Sequence, residues 1–309
     1  MTGKSPTERL GADKGGIARA AVLLRAGGLA ALPTETVYGL AARADSDAAV
    51  ARIYAAKGRP GFNPLIVHVE SLAQAETLAE FGDGARALAA SHWPGPLTLV
   101  LPRRRDATLA AAVTAGLDTV ALRCPAHPAM RAVLGQVGVP LAAPSANRSG
   151  LVSPTTADHV LATLDGRIDA VLDAGPCPAG LESTIVAVRA DGRCDLLRPG
   201  PIDVAAEPAR GSAVEAPGQL ASHYAPGKPL RLDAVRGEAG EYLIGFGPVE
   251  GDCSLSPRGD LAEAAANLYA CLHRAAGAPQ RRIAVAAIPD TGIGIAINDR
   301  LRRAAAPKG

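Results

Sequence analysis

Several short segments of this 309-residue chain pair hydroxyls or amides with glycine or proline. They are ThrGluThrValTyrGly (34–39), LysGlyArgPro (57–60), AlaProSerAlaAsnArgSerGly (143–150), SerProThrThr (153–156), GluSerThr (182–184) and ArgProGly (198–200). Hydroxyl, amide and clustered backbone N–H groups at the start of a loop or helix are donors to an anion. Lys57, Arg59, Arg123 and Arg198 each sit at the end of an expected element, so they can point into one cleft. The planar fork of arginine suits a phosphate or a carboxylate. There is no HExxH, no Ser-His-Asp order and no defensible carboxylate pair. The inventory suits an enzyme that positions anionic substrates and stabilises charge.

Each residue also has a plainer role. Ser153 is a good helix N-cap as it stands, and Lys57 and Arg59 complement the C-terminal dipole of a preceding helix. His68 alternates with Ile66 on one strand face, where a lone histidine is more often a satisfied core residue. Trp93 reads as a packing anchor. GlyLysSer (3–5) lacks the upstream strand and glycine of a phosphate loop, and GlyIleGlyIleAla (292–296) lacks the full dinucleotide fingerprint. Individually the signals are weak; their density is not.

The elements that must hold these residues alternate. Residues 1–14 read as a loose leader. Helical patterns fall at 17–25, 46–56, 71–80, 84–91, 128–137 and 155–164, between strands at 29–33, 64–69, 97–102, 119–124 and 140–143. Residues 183–188 and 194–197 flank an Asp-Gly turn and form a hairpin. Alternating helices and strands with an antiparallel hairpin imply a twisted mixed sheet. Residues 201–229 are rich in Pro, Gly, Ala and Ser without periodicity, as in a linker. An apolar run at 241–246, a helix at 260–276, a strand at 283–288 and a basic helix ending at Arg302 and Arg303 then make a small second α/β domain.

Composition narrows the class. With 48% apolar and 20% charged residues the chain can bury a core. A net charge of +2 does not by itself indicate nucleic-acid or membrane binding. Five scattered cysteines without a CxxC fit neither a disulfide framework nor a zinc site, and with no signal-like or membrane-spanning run they point to the cytoplasm.

ProThrGluThrValTyrGlyLeu (33–40), AlaLysGlyArgPro (56–60) with AsnProLeuIleValHis (63–68), TrpProGlyProLeuThrLeuValLeu (93–101), the 143–156 stretch, GluSerThrIleVal (182–186) and LeuArgProGly (197–200) occur in an order that resembles the threonylcarbamoyl-AMP synthases of the YrdC-like superfamily. SerHisTyrAlaPro (222–226) and the domain after it resemble the long form. The resemblance implies a catalytic YrdC-like domain at 15–203, a linker or lid at 204–229 and a C-terminal Rossmann-like domain at 230–309. It implies synthesis of L-threonylcarbamoyl-AMP from L-threonine, bicarbonate and ATP, with release of pyrophosphate, Mg²⁺ arriving with ATP and no tightly held protein metal. The product would pass to a tRNA threonylcarbamoyl transferase, and a weak direct contact with tRNA stays open. By motif position Thr36, His68, Arg123, Ala143 and Ser183 go to threonine. Arg59, Asn63, Thr119, Ser145, Ser153, Arg198 and Tyr224 go to ATP, Lys57 and Arg59 to catalysis, and Asn147 to bracing the Ser145 loop. ProGlyGlnLeuAlaSer (217–222) departs from the basic or aromatic stretch that often precedes HisTyrAlaPro, which puts the docking of the lid in question.

Two other classes compete. An RNA-binding module without catalysis is disfavoured by the near-neutral charge and the lack of aromatic platforms. A nucleotide-cofactor oxidoreductase lacks the glycine turn after an early strand.

Overall fold

Capping chemistry sets where the helices start and stop. The Ser46 side chain accepts from the backbone N–H of Ala49 at one helix start, and Gly58, at a left-handed φ of 59°, ends that helix. The computed structural model describes residues 6–209, 214–219 and 222–307. In chain order its elements begin β1 (Glu8–Gly11), α1 (Lys14–Arg25), β2 (Ala30–Leu32), β3 (Gly39–Arg43), α2 (Asp47–Lys57), β4 (Ile66–His68), α3 (Leu72–Glu76) and α4 (Asp83–His92). They continue with β5 (Leu97–Pro102), α5 (Ala111–Thr114), β6 (Thr119–Arg123), α6 (Pro128–Val137), β7 (Leu141–Ala142), α7 (Ala157–Leu164), β8 (Ala170–Asp173), β9 (Thr184–Val188), β10 (Cys194–Arg198) and β11 (Glu207–Pro208). The last group is β12 (Leu230–Arg231), β13 (Glu241–Gly245), β14 (Cys253–Ser254), α8 (Leu261–Gly277), β15 (Arg282–Val285) and α9 (Gly294–Ala305).

The first eleven strands form one mixed sheet in the order β1-β8-β2-β3-β7-β4-β6-β5-β9-β10-β11. Strands of two to six residues, alternating in face, give it two apolar surfaces. Ala31, Leu40, Ala42, Val67, Leu99 and Leu122 face a core shared with α2, α4 and α7. Ala30, Leu32, Ala41 and Leu141 face the other way, against Ala20 and Leu24 of α1 and Met130, Val133 and Leu134 of α6. On that second side the helices stop short of β4, β6, β5 and β9. There Ile66, Val100, Ala121, Ile185 and Leu197 are covered by Ala216 of the linker instead. This part of the sheet holds the cleft.

The second sheet is parallel throughout, ordered β12-β15-β13-β14, and packs on α8 and α9 as expected for a small Rossmann-like domain. Its core does not end at its own residues. Leu268, Tyr269, Leu272, Ile297 and Leu301 pack in one cluster with Val37, Val152 and Leu181 of the first domain and Tyr224 of the linker.

Three expectations need correction. The loose leader holds β1, which pairs in parallel with β8. Only Leu10 of it is buried, so the pattern carried no strand signal, and Arg9 ties it down through Asp158 and Asp173. The helix expected at 71–80 ends at Glu76, because Leu78 and Ala79 are drawn down into the core and Ala79 bridges to Arg103. The linker is not without structure, since Glu207–Pro208 adds a parallel strand to β10. Strands β3 and β8 escaped the pattern because they are buried on both faces and alternate in nothing but size. GlyLysSer (3–5) lies outside the described residues.

Gly180 shows how closely the two domains meet. It has a φ of +68°, and a Cβ there would lie 2.5 Å from both the carbonyl oxygen of Ala265 and the Cα of Ala266 in α8. Gly180→Ala should therefore cost more than about 2 kcal/mol of stability. Urea denaturation reads this directly, and an unchanged midpoint would show that the contact is not tight.

Candidate functional site

Alternation carries the site residues onto the open part of the sheet. On β4, His68 points the same way as Ile66, and on β6, Arg123 the same way as Ala121; all but Ala121 line one cleft. The cleft encloses about 530 Å³, including space open to solvent. Thr34 and Thr36 enter from the turn before β3, and Ala143 and Ser145 from the loop after β7. Ser183 and Arg198 come from the β9–β10 hairpin, and Gly218, His223 and Tyr224 from the linker.

Lys57, Arg59 and Arg198 are all nearly or fully buried, and each spends its donors on backbone carbonyls. Lys57 Nζ donates to the carbonyl oxygens of Ser145 (2.5 Å) and Asn147 (2.6 Å). Arg59 donates through Nε to Asn63 O (3.1 Å) and through Nη2 to Pro64 O (2.8 Å). Arg198 donates to Ser183 O (3.1 and 3.0 Å), to Ser183 Oγ (3.1 Å) and to Pro217 O (3.3 Å). Among the described residues none of the three forms an ion pair with a carboxylate; Glu182 faces Arg198 from farther away. Burial lowers the pKa of Lys57 well below that of a free lysine and pulls Arg59 down to about 10. Buried cations held only by carbonyl dipoles lack the counter-charge that normally offsets desolvation. An anionic ligand would supply it.

Arg123 is different. Its Nη2 meets Glu35 Oε1 at 2.6 Å, its Nη1 donates to Thr36 Oγ1 at 2.9 Å and its Nε to Gly95 O at 3.3 Å. Burial pushes the Glu35 carboxyl up, but Arg123 and the N–H of Ala126 hold it below its usual value. Ser183 Oγ shares a 2.7 Å hydrogen bond with Thr98 Oγ1. Between these groups His68 is buried, its Nδ1 has no hydrogen-bond partner among the described residues, and burial followed by the nearby Arg123 depresses its pKa to about 3. It is a neutral hydrogen-bonding group at working pH. Arg123, Thr36, Ser183 and His68 thus make one polar corner, and the uncompensated cations line or brace the rest.

Nine of the candidate residues line the cleft: Thr36, Arg59, His68, Arg123, Ala143, Ser145, Ser183, Arg198 and Tyr224. Four do not. Lys57 lies behind the Ser145–Asn147 loop, which Asn147 also braces through Nδ2 to Arg148 O and Leu151 O. Ser153 Oγ donates to Glu182 Oε1 at 2.6 Å, in a layer beneath the cleft. Asn63 is buried with Oδ1 unpartnered, while its carbonyl holds Arg59. Thr119 opens β6 opposite Pro102, four residues from Arg123 and so roughly 13 Å along the strand. Glu35, Glu182 and His223 had not been singled out, although each sits inside or beside a quoted motif. Arg300 and Tyr269, which reach the site from the second domain, had no sequence signal at all.

Among the described residues no three His, Cys, Asp or Glu side chains are grouped to hold a metal ion. The carboxylates at the site, Glu35 and Glu182, are engaged by Arg123 and Arg300. The donor set does not fit a protein-held divalent metal.

Fold and site together define an α/β protein with a cation-lined cleft roofed by its own linker. A family model described as "Telomere recombination" (Sua5_yciO_yrdC) matches residues 22–200, and one described as "Threonylcarbamoyl-AMP synthase, C-terminal domain" matches residues 185–306. The chain is 40% identical to a threonylcarbamoyl-AMP synthase of Bacillus subtilis, over 97% of this chain and 95% of that one. It is 38% identical to the enzyme of the same name from Pyrococcus abyssi, over 92% of each. The crystal structure of P. abyssi Sua5 complexed with L-threonine superposes with a TM-score of 0.88 at 34% identity, covering 97% of this chain and 98% of that one. Escherichia coli YciO, at 20% identity and a TM-score of 0.56, shares the fold over 65% of this chain. The chain belongs to the threonylcarbamoyl-AMP synthase family, in its long two-domain form.

The depressed pKa of His68 gives a direct test. The ring should stay neutral from about pH 8 to about pH 5 in NMR titration. Its contribution to stability, and that of His223 (also pulled to about 3 by burial), is present above the ordinary value of 6.5 and lost as pH falls towards 3. A His68 midpoint near 6.5 would contradict the burial of the ring with its Nδ1 unpartnered among the described residues.

Proposed function

We propose that this protein makes L-threonylcarbamoyl-AMP from L-threonine, bicarbonate and ATP, releasing pyrophosphate, with the whole reaction in the cleft over β4, β6 and β9. The observation that carries this reading is the set of buried cations without counter-ions beside a corner of hydroxyls, a neutral histidine and Arg123. Threonine takes that corner. Its carboxylate meets the guanidinium of Arg123, its polar groups meet Thr36, His68 and Ser183, and the backbone at Ala143 closes the side. The threonine nitrogen bonds to the bicarbonate carbon with loss of water. An oxygen of the resulting carbamate then displaces pyrophosphate from the α-phosphorus of ATP. Both steps gather negative charge, which fixed cations favour by positioning and electrostatic stabilisation.

Arg59 and Arg198 carry the phosphates, Ser145 and its neighbouring N–H groups bind beside them, and Tyr224 covers the nucleotide. Lys57 acts by holding the Ser145–Asn147 loop rather than by touching phosphate, and Asn63 and Ser153 likewise position Arg59 and Glu182. Thr119 keeps its place among the ATP residues only if the nucleotide extends along β6. Mg²⁺ enters on the phosphates of ATP and supplies charge neutralisation there. Residues 15–203 form the catalytic unit, 204–229 the lid and 230–309 the supporting domain. The product goes to a tRNA threonylcarbamoyl transferase in the cytoplasm, with at most a weak direct contact to tRNA.

Pyrophosphate release from MgATP is the test. It should require both threonine and bicarbonate and fall by about a hundredfold or more in Arg59→Ala. Release without threonine would mean a different acceptor. No release with any combination would leave a nucleotide-binding or RNA-binding module without catalysis.

A further inference from the structure

Arg300 does not line the cleft, yet it touches two residues that do, Glu182 and Tyr224. It is fully buried in α9, where its Nε meets Glu182 Oε2 at 2.9 Å and its Nη1 meets Asp299 Oδ2 at 2.7 Å. Its Nη2 donates to the carbonyl oxygen of Pro199 at 2.9 Å, and its guanidinium carbon lies 5.5 Å from the ring centroid of Tyr224. Glu182 and Pro199 immediately precede Ser183 and follow Arg198, and Arg198 donates to the Ser183 carbonyl and hydroxyl. One side chain of the C-terminal domain therefore holds the Glu182 carboxylate just before the hairpin and the Pro199 carbonyl just after it, next to these two cleft residues.

The same group of contacts fixes the lid. Tyr224 has a left-handed φ of 62°, uncommon for an aromatic residue, and is 1% exposed. Its ring stacks with that of Tyr269 at 5.7 Å and 29°, and meets the ring of His223 edge-on at 4.1 Å and 67°. The hydroxyl of Tyr269 donates to Glu182 Oε2 at 2.8 Å, and Ser153 Oγ donates to Oε1 at 2.6 Å. Burial pushes the Glu182 carboxyl up, but Arg300 and Arg198 hold it down to about 2, so it is ionised when the domain is folded. A carboxylate buried this deeply stays tolerable only while its partners stay in place.

We propose that Arg300 is a positioning residue for nucleotide binding: through Glu182, Pro199 and Tyr224 the C-terminal domain sets the placement of Arg198 and the closed position of the lid. This rests on the synthase reading of the cleft. The contrary role, a rivet between domains, would affect stability and leave the site alone. The two separate in kinetics.

Arg300→Lys keeps a charge within reach of Glu182 but loses the fork to Pro199 and the flat face over Tyr224. It should remain folded, raise the KM for ATP about tenfold or more and leave the KM for threonine within about twofold. The double variant Arg300→Met with Glu182→Gln removes both charges of the buried Arg300–Glu182 pair together, so it should be more stable than Arg300→Met alone without recovering ATP affinity. Calorimetric titration with ATP alone measures that affinity independently of turnover. Loss of thermal stability in Arg300→Lys with an unchanged ATP KM and dissociation constant would overturn the positioning role and leave a rivet. A wild-type protein that binds ATP but never releases pyrophosphate would overturn the synthase reading first, and the kinetic assignment with it.

Discussion

Burying a cation without a counter-ion is the least favourable arrangement in this molecule, and the site is organised around three of them. Lys57, Arg59 and Arg198 leave water, meet only carbonyl oxygens and hydroxyls, and show the expected consequence in lowered pKa values. The other two buried arginines of the region, Arg123 and Arg300, have carboxylate partners at 2.6 and 2.9 Å. The contrast sets Arg59 and Arg198, which line the cleft without an ion pair among the described residues, apart from the other three. Lys57 braces the Ser145–Asn147 loop behind the cleft, and the charge of Arg123 and Arg300 is met by a carboxylate. Carbonyl dipoles can keep Arg59 and Arg198 in place without neutralising them, so the site stays preorganised for an anion.

The sheet order makes that arrangement possible. Helices α1 and α6 cover one end of the inner face, and the strand ends from β4 to β9 are left for the linker to roof. A linker made only of Pro, Gly and Ala could not supply such a roof. Here it is anchored by Tyr224, which belongs to the same apolar cluster as α8 and α9. The C-terminal helices therefore pack on the linker rather than standing apart, and the close approach at Gly180 is one place where they rest on the first part of the chain.

Much of the cleft was legible because its residues are local in sequence. Arg123, Ser145 and Arg198 lie at element ends, where alternation and turn chemistry mark them, while Thr36, His68 and Ser183 entered through their motif positions in the family resemblance, since His68 alone read as a core histidine. The mixed sheet and the second domain followed from the same periodicities. What could not be read was long-range. Whether Lys57 faces phosphate or a loop carbonyl depends on a contact with a residue 90 positions away. Arg300 looked like one more cation on a basic helix, and only the packing of α9 on the hairpin gives it Glu182, 118 positions distant. Strand β1 was invisible because its pairing lies in backbone and surface ion pairs, not in an apolar pattern.

The central claim, that the cleft holds cations in waiting for a polyphosphate, is tested most directly by thermal unfolding of the free protein in the presence of ATP, pyrophosphate and adenosine. A ligand at a hundred times its dissociation constant stabilises by about 2.7 kcal/mol, or roughly 4 °C for a chain of this size. ATP and pyrophosphate should each raise the melting temperature, and adenosine should do little. Equal stabilisation by adenosine and ATP, or none by pyrophosphate, would show that the buried cations are not the binding determinant.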